Sequence, residues 1–179
     1  IDVRLVGSEM CIRDRLCVIA EELGRSLAPT PFSSSVYLAS EAIINFGDES
    51  QKESFLPGLA SGEKIGAFAH SETNTSPTEA NISCSFSGGT LSGTKIAVAD
   101  GDVANTFIVT ANNGSGVSLY LVDGTADGIQ IEPQTTLDPS RSHASITFSN
   151  TPATELKSEW SDVLSLSLIH ISEPTRRTS

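Results

Sequence analysis

The sequence is poor in basic, sulfur-containing and aromatic residues. Its 179 residues include 11 Lys and Arg against 22 Asp and Glu, a formal net charge of -11, with 3 Cys, 1 Met, 1 Trp and 2 Tyr. The few cations are scattered, which argues against a nucleic-acid-binding surface. No apolar run reaches the ~18 residues that a membrane-spanning helix needs, and no secretory signal pattern opens the chain. We therefore expect an acidic protein without a nucleic-acid or membrane partner.

The cysteines and histidines have no metal-binding spacing. Cys11, Cys17 and Cys84 form no Cys-x-x-Cys pair, and the three histidines lie far from one another and from any cysteine cluster. We therefore expect no metal site. Three cysteines are also too few for a disulfide framework in a chain of this length, so a reducing compartment and cytoplasmic localisation are expected. The length suits one mid-sized domain or two small ones.

The two ends differ in character from the middle. Residues 1–15, with the string SEMCIRDR, and the final string LSLIHISEPTRRTS resemble translated sequencing-adapter read-through. We expect 1–15 to be an artefactual extension, and 158–179 to combine the start of a linker with a second such extension. Ile169 and Ile171 are then expected to pack poorly against the rest. The genuine protein is expected to continue beyond both ends, so that this chain is a fragment.

The first part of the middle region has the hydrophobic period of helices. Apolar residues at three- and four-residue steps predict an amphipathic helix over 16–27, which the sequence APTP at 28–31 ends. A second helix is expected from Ser34 or Ser35, as the N-cap, to Gly47, a residue that tolerates the left-handed C-cap conformation. The residues expected to be buried on this helix are Val36, Ala39, Ile43 and Phe46.

A third, shorter helix is predicted directly after Gly47. Asp48 is expected to cap its free amides, and Gln51 three residues later completes a pattern similar to a capping box. The sequence FLPG at 55–58 is expected to end this helix, because proline disrupts a helix interior.

From Lys64 onward the sequence predicts strands. Short β-prone segments are separated in most cases by Gly, Asn, Asp or Pro. The predicted strands cover residues 65–71, 82–86, 90–99, 106–111, 117–122, 128–132 and 144–148. Helices followed by an antiparallel β run indicate an α+β fold, whose sheet is expected to close into a small barrel or sandwich.

The junction between the helices and the strands carries a specific pattern. Residues 46–69 read FGDESQKESFLPGLASGEKIGAFA. This stretch resembles the acyl-CoA dehydrogenase family, in which G-(3)-Q-K-(3)-LP-x-LASGE leads into the first β-strand. Further matches follow the family's order, namely AEELGR at 20–25, LSGTK at 91–95, and LYLVD at 119–123 with a trailing GI at 128–129. The resemblance runs from about residue 16 to about residue 157.

The resemblance implies a flavoprotein with an N-terminal helical domain, a middle β-domain and a C-terminal helical bundle. Residues 16–63 then correspond to part of the helical domain and 64–157 to the β-domain. The implied activity of the parent protein is FAD-dependent α,β-dehydrogenation of an acyl-CoA thioester in fatty acid or lipid catabolism. It also implies an electron-transfer acceptor as partner and a homo- or hetero-oligomeric assembly. Acyl-chain specificity is not implied.

The catalytic base of this family is a glutamate that usually lies in the C-terminal bundle. It removes the proton α to the thioester while the β-hydride passes to flavin N5. The readable part of this chain stops near Trp160, so no catalytic residue is assigned. We expect the chain alone to be inactive.

The resemblance also implies a cofactor site on two segments. The family's turn T-E-P-G-x-G-S-D corresponds to SETNTSPT at 71–78, and its strand K-x-W-I-T-N-G corresponds to KIAVADG at 95–101. The implied cofactor-binding residues are Phe68, His70, Ser71, Ala97, Val98 and Ala99.

Both segments depart from the family pattern. The turn lacks the glycines that let backbone amides approach the pyrophosphate, and Pro77 has no amide to donate. Ala97 replaces the aromatic residue that covers the flavin, and Ala99 replaces the hydroxyl residue that meets N5. The alternation of strand residues places Ala97 and Ala99 on one face, where backbone contacts to a cofactor remain available.

Three side chains near these segments have competing interpretations. His70 either faces the flavin or is a hydrogen-bonded, half-buried strand residue. Glu72 is better interpreted as an acceptor of N–H groups or a solvated charge than as an acid–base group. Arg141 either reaches a phosphate of CoA or pairs with Asp138.

Three hypotheses for function remain. The first is a fragment of a flavin-dependent acyl-CoA dehydrogenase. The second is a flavin-free subunit that forms the structural half of a heteromeric acyl-CoA dehydrogenase. The third is a β-rich binding module unrelated to the family, which is favoured only if residues 46–69 are not a helix entering a strand.

Overall fold

In the computed structural model, the residues described are 15–75, 78–137 and 140–163. The expectations for Ile169 and Ile171 therefore fall outside the described residues. The chain divides into two compact units after Thr30. Helix α1, residues 15–25, lies in the first unit and agrees with the helix predicted over 16–27. Across the described ranges, no helix combines the length and the apolar character needed to cross a bilayer.

The second unit opens with two consecutive helices. A π-helical segment, α2 (Ser33–Ser40), continues directly into α3 (Glu41–Phe46). The prediction that Ser34 or Ser35 caps this helix is wrong, because the helical conformation already begins after Phe32, which makes no side-chain cap. Both serines are buried, and their hydroxyls form hydrogen bonds to residues of the β-sheet and its loops instead. Ser35 Oγ accepts a hydrogen bond from the Gly66 amide at 3.1 Å.

Gly47 ends α3 for a different reason from the one predicted. Its φ of -74° and ψ of 149° are extended and not left-handed. A Cβ at this position would lie 2.5 Å from the Ile43 carbonyl oxygen, which accepts the Gly47 amide. The glycine is therefore needed for close backbone approach.

Helix α4 (Glu49–Ser61) carries the predicted capping box. Asp48 Oδ1 accepts from the Gln51 amide at 2.8 Å, and Gln51 Oε1 accepts from the Asp48 amide at 2.8 Å. The predicted end at residues 55–58 is wrong, because the helix continues through Pro57 to Ser61. Pro57 is exposed, and Leu59 beyond it is buried, so packing of the last turn outweighs the lost hydrogen bond.

Eight strands follow within the described residues. They are β1 (Gly66–Ala69), β2 (Ser85–Ser87), β3 (Thr90–Ala99), β4 (Thr106–Asn112), β5 (Val117–Asp123), β6 (Ile129–Gln134), β7 (His143–Pro152) and β8 (Thr154–Leu156). They form one sheet in the order β6-β7-β3-β2-β4-β5-β8, and β1 pairs with β4. The seven predicted strands are all present, and β8 was not predicted.

The α+β fold is confirmed, with one correction to the expected antiparallel sheet. The sheet is mixed, because β1 and β2 pair with β4 in parallel. Of the two expected forms, barrel and sandwich, the sheet takes the sandwich. Residues of β3 and β7 pack against residues of β4 and β5 in one core.

Strands β4 and β5 are buried on both faces. Phe107 and Tyr120 lie in the core between the two halves of the sheet. Ile108 and Leu121, their neighbours in sequence, lie in a second core with Ile43 of α3. The alternation of side chains therefore places the helices on one face of the sheet and the second half of the sandwich on the other.

Gly128 offers a test of backbone packing in this fold. It has a φ of 84°, and an added Cβ would lie 2.3 Å from the Ser149 carbonyl oxygen. Gly62 has a similar φ of 79° with nothing within 4 Å of the added Cβ. We expect Gly62→Ala to cost about 1–2 kcal/mol for left-handed strain alone. Gly128→Ala should cost about 1–3 kcal/mol more, since the backbone must also shift.

Chemical denaturation of the two variants and of the unmodified chain gives the comparison. Equal losses for Gly62→Ala and Gly128→Ala would contradict the close packing of the 128 turn against Ser149.

Candidate cofactor site

The two predicted cofactor segments lie side by side. The amide of Ile96 in β3 donates a hydrogen bond of 2.8 Å to the carbonyl oxygen of Ser71, which follows the end of β1. This contact is not part of the β3–β7 ladder, and it joins residues far apart in sequence. Ser71 and Ala97 are consequently close neighbours in the fold, as a shared site requires.

A β-bulge in β3 shapes the second segment. The register with β7 shifts between Lys95 and Val98, and Ala97 has a positive φ of 52°. Lys95 and Val98 are both buried, and Ala97 between them is exposed. Val98, only 2% exposed, belongs to the inner core, so it can offer a ligand only its backbone. The bulge therefore displays Ala97, with Ala99 as the next outward residue.

Phe68 lies in β1, and His70 directly follows this strand. The Phe68 ring packs against the core next to the helices. Its centroid is 5.7 Å from that of His70, which in turn stacks on Trp160 at 5.8 Å with an interplanar angle of 29°. Phe68 is thus a support for the His70 ring. Trp160 was not predicted as part of this group.

The His70 side chain is neutral at neutral pH. Burial, followed by the nearby Lys95 ammonium, lowers its pKa from 6.5 to about 4, although the Glu72 carboxylate opposes this shift. Its Nδ1 is buried and has no hydrogen-bond partner. The residue is half-buried as predicted, but the predicted hydrogen bond of the side chain is lacking at this nitrogen.

Glu72 is an acceptor of backbone N–H groups, as predicted. It accepts from the amides of Ser83 at 2.8 Å and Cys84 at 3.0 Å, and also from the Ser83 hydroxyl. Its strongest partner is the Lys95 ammonium at 2.7 Å. Burial alone would raise the pKa of Glu72, but the hydrogen bonds from Lys95 and Ser83 outweigh it and lower the pKa. The carboxylate is therefore fully engaged and unsuited to acid–base work.

Arg141 forms an intrachain pair, but with a residue other than the one predicted. Its Nη2 donates to Asp100 Oδ2 at 2.7 Å, and Ser34 Oγ donates to the same oxygen at 2.5 Å. Asp100 is 6% exposed. Asp138 lies outside the described residues. These hydrogen bonds connect Asp100, directly after β3, to Ser34 of α2. They therefore hold the C-terminal end of the 97–99 segment in place.

Cross-strand pairing brings two further polar residues to the displayed face. Ala99 lies opposite His143, and His143 lies opposite Gln134. Directly opposed residues share a face, so these side chains form one outward row. Gln134 Oε1 also accepts from the Ala97 amide at 3.3 Å. Sequence reasoning missed both residues, because this pairing depends on the bulge.

The residues present fit the ring portion of a flavin in part. Small side chains at Ala97 and Ala99 leave an open outward surface, with the Ser71 backbone at its edge. Residues 76 and 77, in the turn that would meet the pyrophosphate, lie outside the described residues. The fit therefore concerns the ring and not the phosphates.

His70 gives a prediction about pH. Because its pKa in the folded chain is below 6.5, the unfolded chain binds a proton first as pH falls. The stability that His70 contributes is therefore present above pH 6.5 and is lost as pH falls toward about 4. Trp160 is the only tryptophan, and a protonated imidazole stacked on indole quenches its fluorescence. We expect quenching with a midpoint near pH 4.

His70→Gln provides the control for this titration, since it keeps a polar side chain without the ionisation. A midpoint near pH 6.5 in the unmodified chain, or an unchanged transition in His70→Gln, would contradict the buried and stacked position of His70.

Comparisons with known proteins agree with the sequence pattern. The profile of the family "Acyl-CoA dehydrogenase, N-terminal domain" matches residues 7–63, beginning inside the segment expected to be an extension. The chain is 31% identical over 128 residues to acyl-CoA dehydrogenase FadE27 of Mycobacterium tuberculosis, covering 71% of this chain and 34% of that protein. It is 36% identical over 105 residues to a short-chain specific acyl-CoA dehydrogenase of Megasphaera elsdenii, covering 52% and 27%.

A solved structure extends the similarity to the fold. Glutaryl-CoA dehydrogenase of Mycobacterium smegmatis, in complex with FADH2, superposes with a TM-score of 0.68 at 26% identity. The alignment covers 75% of this chain and 38% of that one. The chain thus spans about a third of the length of these relatives. These matches confirm that the chain resembles the acyl-CoA dehydrogenase family in both sequence and fold.

Proposed function

We propose that this chain is part of an FAD-dependent acyl-CoA dehydrogenase, whose full-length parent carries out α,β-dehydrogenation of an acyl-CoA thioester. The observation that carries the proposal is the Ile96–Ser71 backbone hydrogen bond of 2.8 Å. It joins the two segments that the family resemblance assigns to the flavin, although they are separated in sequence. In this proposal, residues 16–63 belong to the helical domain and 64–157 to the β-domain.

The proposal assigns the flavin ring to the surface beside the bulge. Ser71 and the backbone of Ala97, Val98 and Ala99 would hold it, with His70 behind Ser71 and Phe68 supporting His70. FAD, when bound, supplies the hydride-accepting chemistry. The residues of this chain bind and orient it, and the small side chains of Ala97 and Ala99 leave room above them.

The chain alone is proposed to be inactive. Two buried carboxylates of the described residues lie close to the proposed flavin surface, and both form ion pairs. Glu72 pairs with Lys95, and Asp100 pairs with Arg141. Neither is free to take a proton from a thioester, and a general base must reach the proton it abstracts. The base, the acyl-CoA contacts and the electron-transfer acceptor therefore belong to the parent. We also propose a homo- or hetero-oligomeric, cytoplasmic parent with a role in lipid catabolism.

A second candidate is a flavin-free subunit of a heteromeric acyl-CoA dehydrogenase. It is favoured by the alanines at 97 and 99, whose side chains offer no hydrogen bond to a cofactor. The fold also superposes on a chain of the ChsE4–ChsE5 complex of Mycobacterium tuberculosis with a TM-score of 0.68, at 24% identity. The third hypothesis, an unrelated binding module, lacks its required condition, because α4 leads directly into β1.

The test is turnover of acyl-CoA thioesters of several chain lengths with an artificial electron acceptor. The full-length parent should turn over at least one of them, and the 179-residue chain none. Activity of the short chain would overturn its proposed inactivity. Absence of turnover by the parent, alone and with a neighbouring homologous subunit, would overturn the proposed reaction. If turnover requires the homologous subunit, and that subunit alone carries the flavin, the second candidate is favoured.

A further inference from the structure

We infer that Lys95 and Glu72 are positioning residues of the candidate cofactor site: their buried ion pair holds the bulge that presents Ala97 and joins it to Ser71. The inference rests on the proposed function for its cofactor, but its geometric part concerns this chain alone. Neither residue touches the outward surface, so both act through the backbone of others.

Lys95 is completely buried and donates hydrogen bonds to residues 70 and 72 and to Thr110 of β4. Its Nζ donates to Glu72 Oε1 at 2.7 Å, to Thr110 Oγ1 at 2.8 Å and to the His70 carbonyl at 3.3 Å. The Thr110 hydroxyl donates to the same His70 carbonyl at 3.3 Å. The chain at 70–72 is thus fixed from β3 and from β4. An ammonium group has three donors, and all three are used here.

Glu72 fixes the other side of this segment. Beyond Lys95, its carboxylate receives the Ser83 and Cys84 amides, which precede β2. Residues 70 and 72 are therefore each anchored inside the protein, and Ser71 is the single residue between them. Its carbonyl accepts a hydrogen bond from the Ile96 amide.

The bulge places Lys95 and Ala99 on opposite faces of β3. In a regular strand, residues 95, 97 and 99 would share a face. Here Lys95 pairs with Ile146 and is buried, while Ala99 pairs with His143 on the outward face. The Ile96 amide points away from β7, opposite to the Lys95 carbonyl of the same peptide unit, and bonds to Ser71. The Lys95 carbonyl accepts from Ser145 Oγ at 3.2 Å.

The energetics favour a positioning role over a stabilising one. Two buried charges lose their hydration, and a buried ion pair adds little net stability compared with neutral residues of similar volume. Apolar side chains at positions 72 and 95 would fill the same volume without the cost of burying two charges. The pair does, however, fix the relative position of two backbone segments through directional bonds, which apolar packing does not do.

The first test uses the 179-residue chain and the double variant Glu72→Gln/Lys95→Met. Removing both charges avoids leaving one unpaired, so the fold should persist. We expect the Ile96 amide to exchange with solvent at least tenfold faster, while the amide of Phe107 in β4 remains protected. Glu49→Gln/Lys52→Met, which removes an exposed pair on α4, should leave Ile96 unchanged. Unchanged Ile96 exchange in Glu72→Gln/Lys95→Met would overturn the inference.

Thr110→Val is a second, milder variant for the same measurement. It removes one acceptor of Lys95 and one donor to His70 but keeps both charges. Faster exchange at Ile96 is again expected, by a smaller factor. If the double variant does not fold, Thr110→Val decides the geometric part by the same criterion.

The second test measures FAD affinity in the full-length parent. The Thr110→Val and double variants should bind FAD about tenfold or more weakly with an altered visible spectrum, as expected when one or two hydrogen bonds are misplaced. Their melting temperatures should stay close to that of the parent. Faster Ile96 exchange with unchanged FAD affinity would overturn the positioning role. A parent that binds no FAD would instead contradict the proposed function, and the exchange result would still decide whether the pair holds the bulge.

Discussion

Lys95→Met alone is expected to destabilise the chain by about 3–5 kcal/mol, because it leaves the Glu72 carboxylate buried without its cation. Glu72 has a side-chain exposure of 6%, so water cannot replace the ammonium. Its remaining donors, from Ser83 and Cys84, are neutral. Urea denaturation of the unmodified chain and of the variant measures the loss as a difference in free energy of unfolding.

Two comparisons isolate the effect of the unpaired charge. Lys52→Met removes an exposed partner of Glu49 and should cost less than about 1 kcal/mol. Adding Glu72→Gln to Lys95→Met should recover much of the stability, since no charge remains buried. A single variant as stable as the unmodified chain would contradict the arrangement described for this pair.

Phe107→Ala is expected to have an effect of similar size, about 3–5 kcal/mol. Phe107 is fully buried in the core between the two halves of the sheet. Its ring meets that of Phe148 from β7 edge to face at 6.4 Å. Truncation leaves a cavity where the two halves of the sandwich meet, so the whole sheet should unfold earlier in denaturant.

Ile108→Ala is the matched comparison on the opposite face of the same strand. Ile108 is equally buried but packs with Ile43 and Leu59 of the helices. A loss of about 2–5 kcal/mol is expected, with faster amide exchange in α3 and α4 before that in β3 and β7. The same order of exchange in Phe107→Ala and Ile108→Ala would contradict the two-layer arrangement.

Much of the fold could be predicted because its elements carry local signals. The capping box at Asp48 and Gln51 marks a helix start through two hydrogen bonds, and β-prone segments separated by turn-forming residues mark strands β3 to β7. The end of α4 was mispredicted because Leu59, beyond Pro57, is held by tertiary contacts. The parallel pairing of β1 with β4 has no local signal, since it depends on a crossover and on long-range register.

The site was predictable only as far as the family pattern extends. That pattern placed Ser71 and the 97–99 segment in one site, and the structure makes them neighbours. It did not identify Lys95 as a buried anchor, because its partners Glu72, Thr110 and the His70 carbonyl come from distant parts of the chain. His143 was missed because it reaches this surface by pairing with Ala99 across strands. Trp160 was missed because its stacking on His70 joins residues 90 positions apart in the chain.

Flavin absorbance of the purified full-length parent, measured beside its Ala99→Trp and Thr94→Trp variants, shows whether FAD binds at the surface that Ala97 and Ala99 form. Both residues lie on the outward side of β3, but Thr94 precedes the bulge and contacts Thr147. We expect the parent to retain FAD, the Ala99→Trp variant to lose most of it, and the Thr94→Trp variant to keep it. A colourless parent, alone and with a homologous subunit, would contradict the account, as would an Ala99→Trp variant with the parent's full flavin content and spectrum.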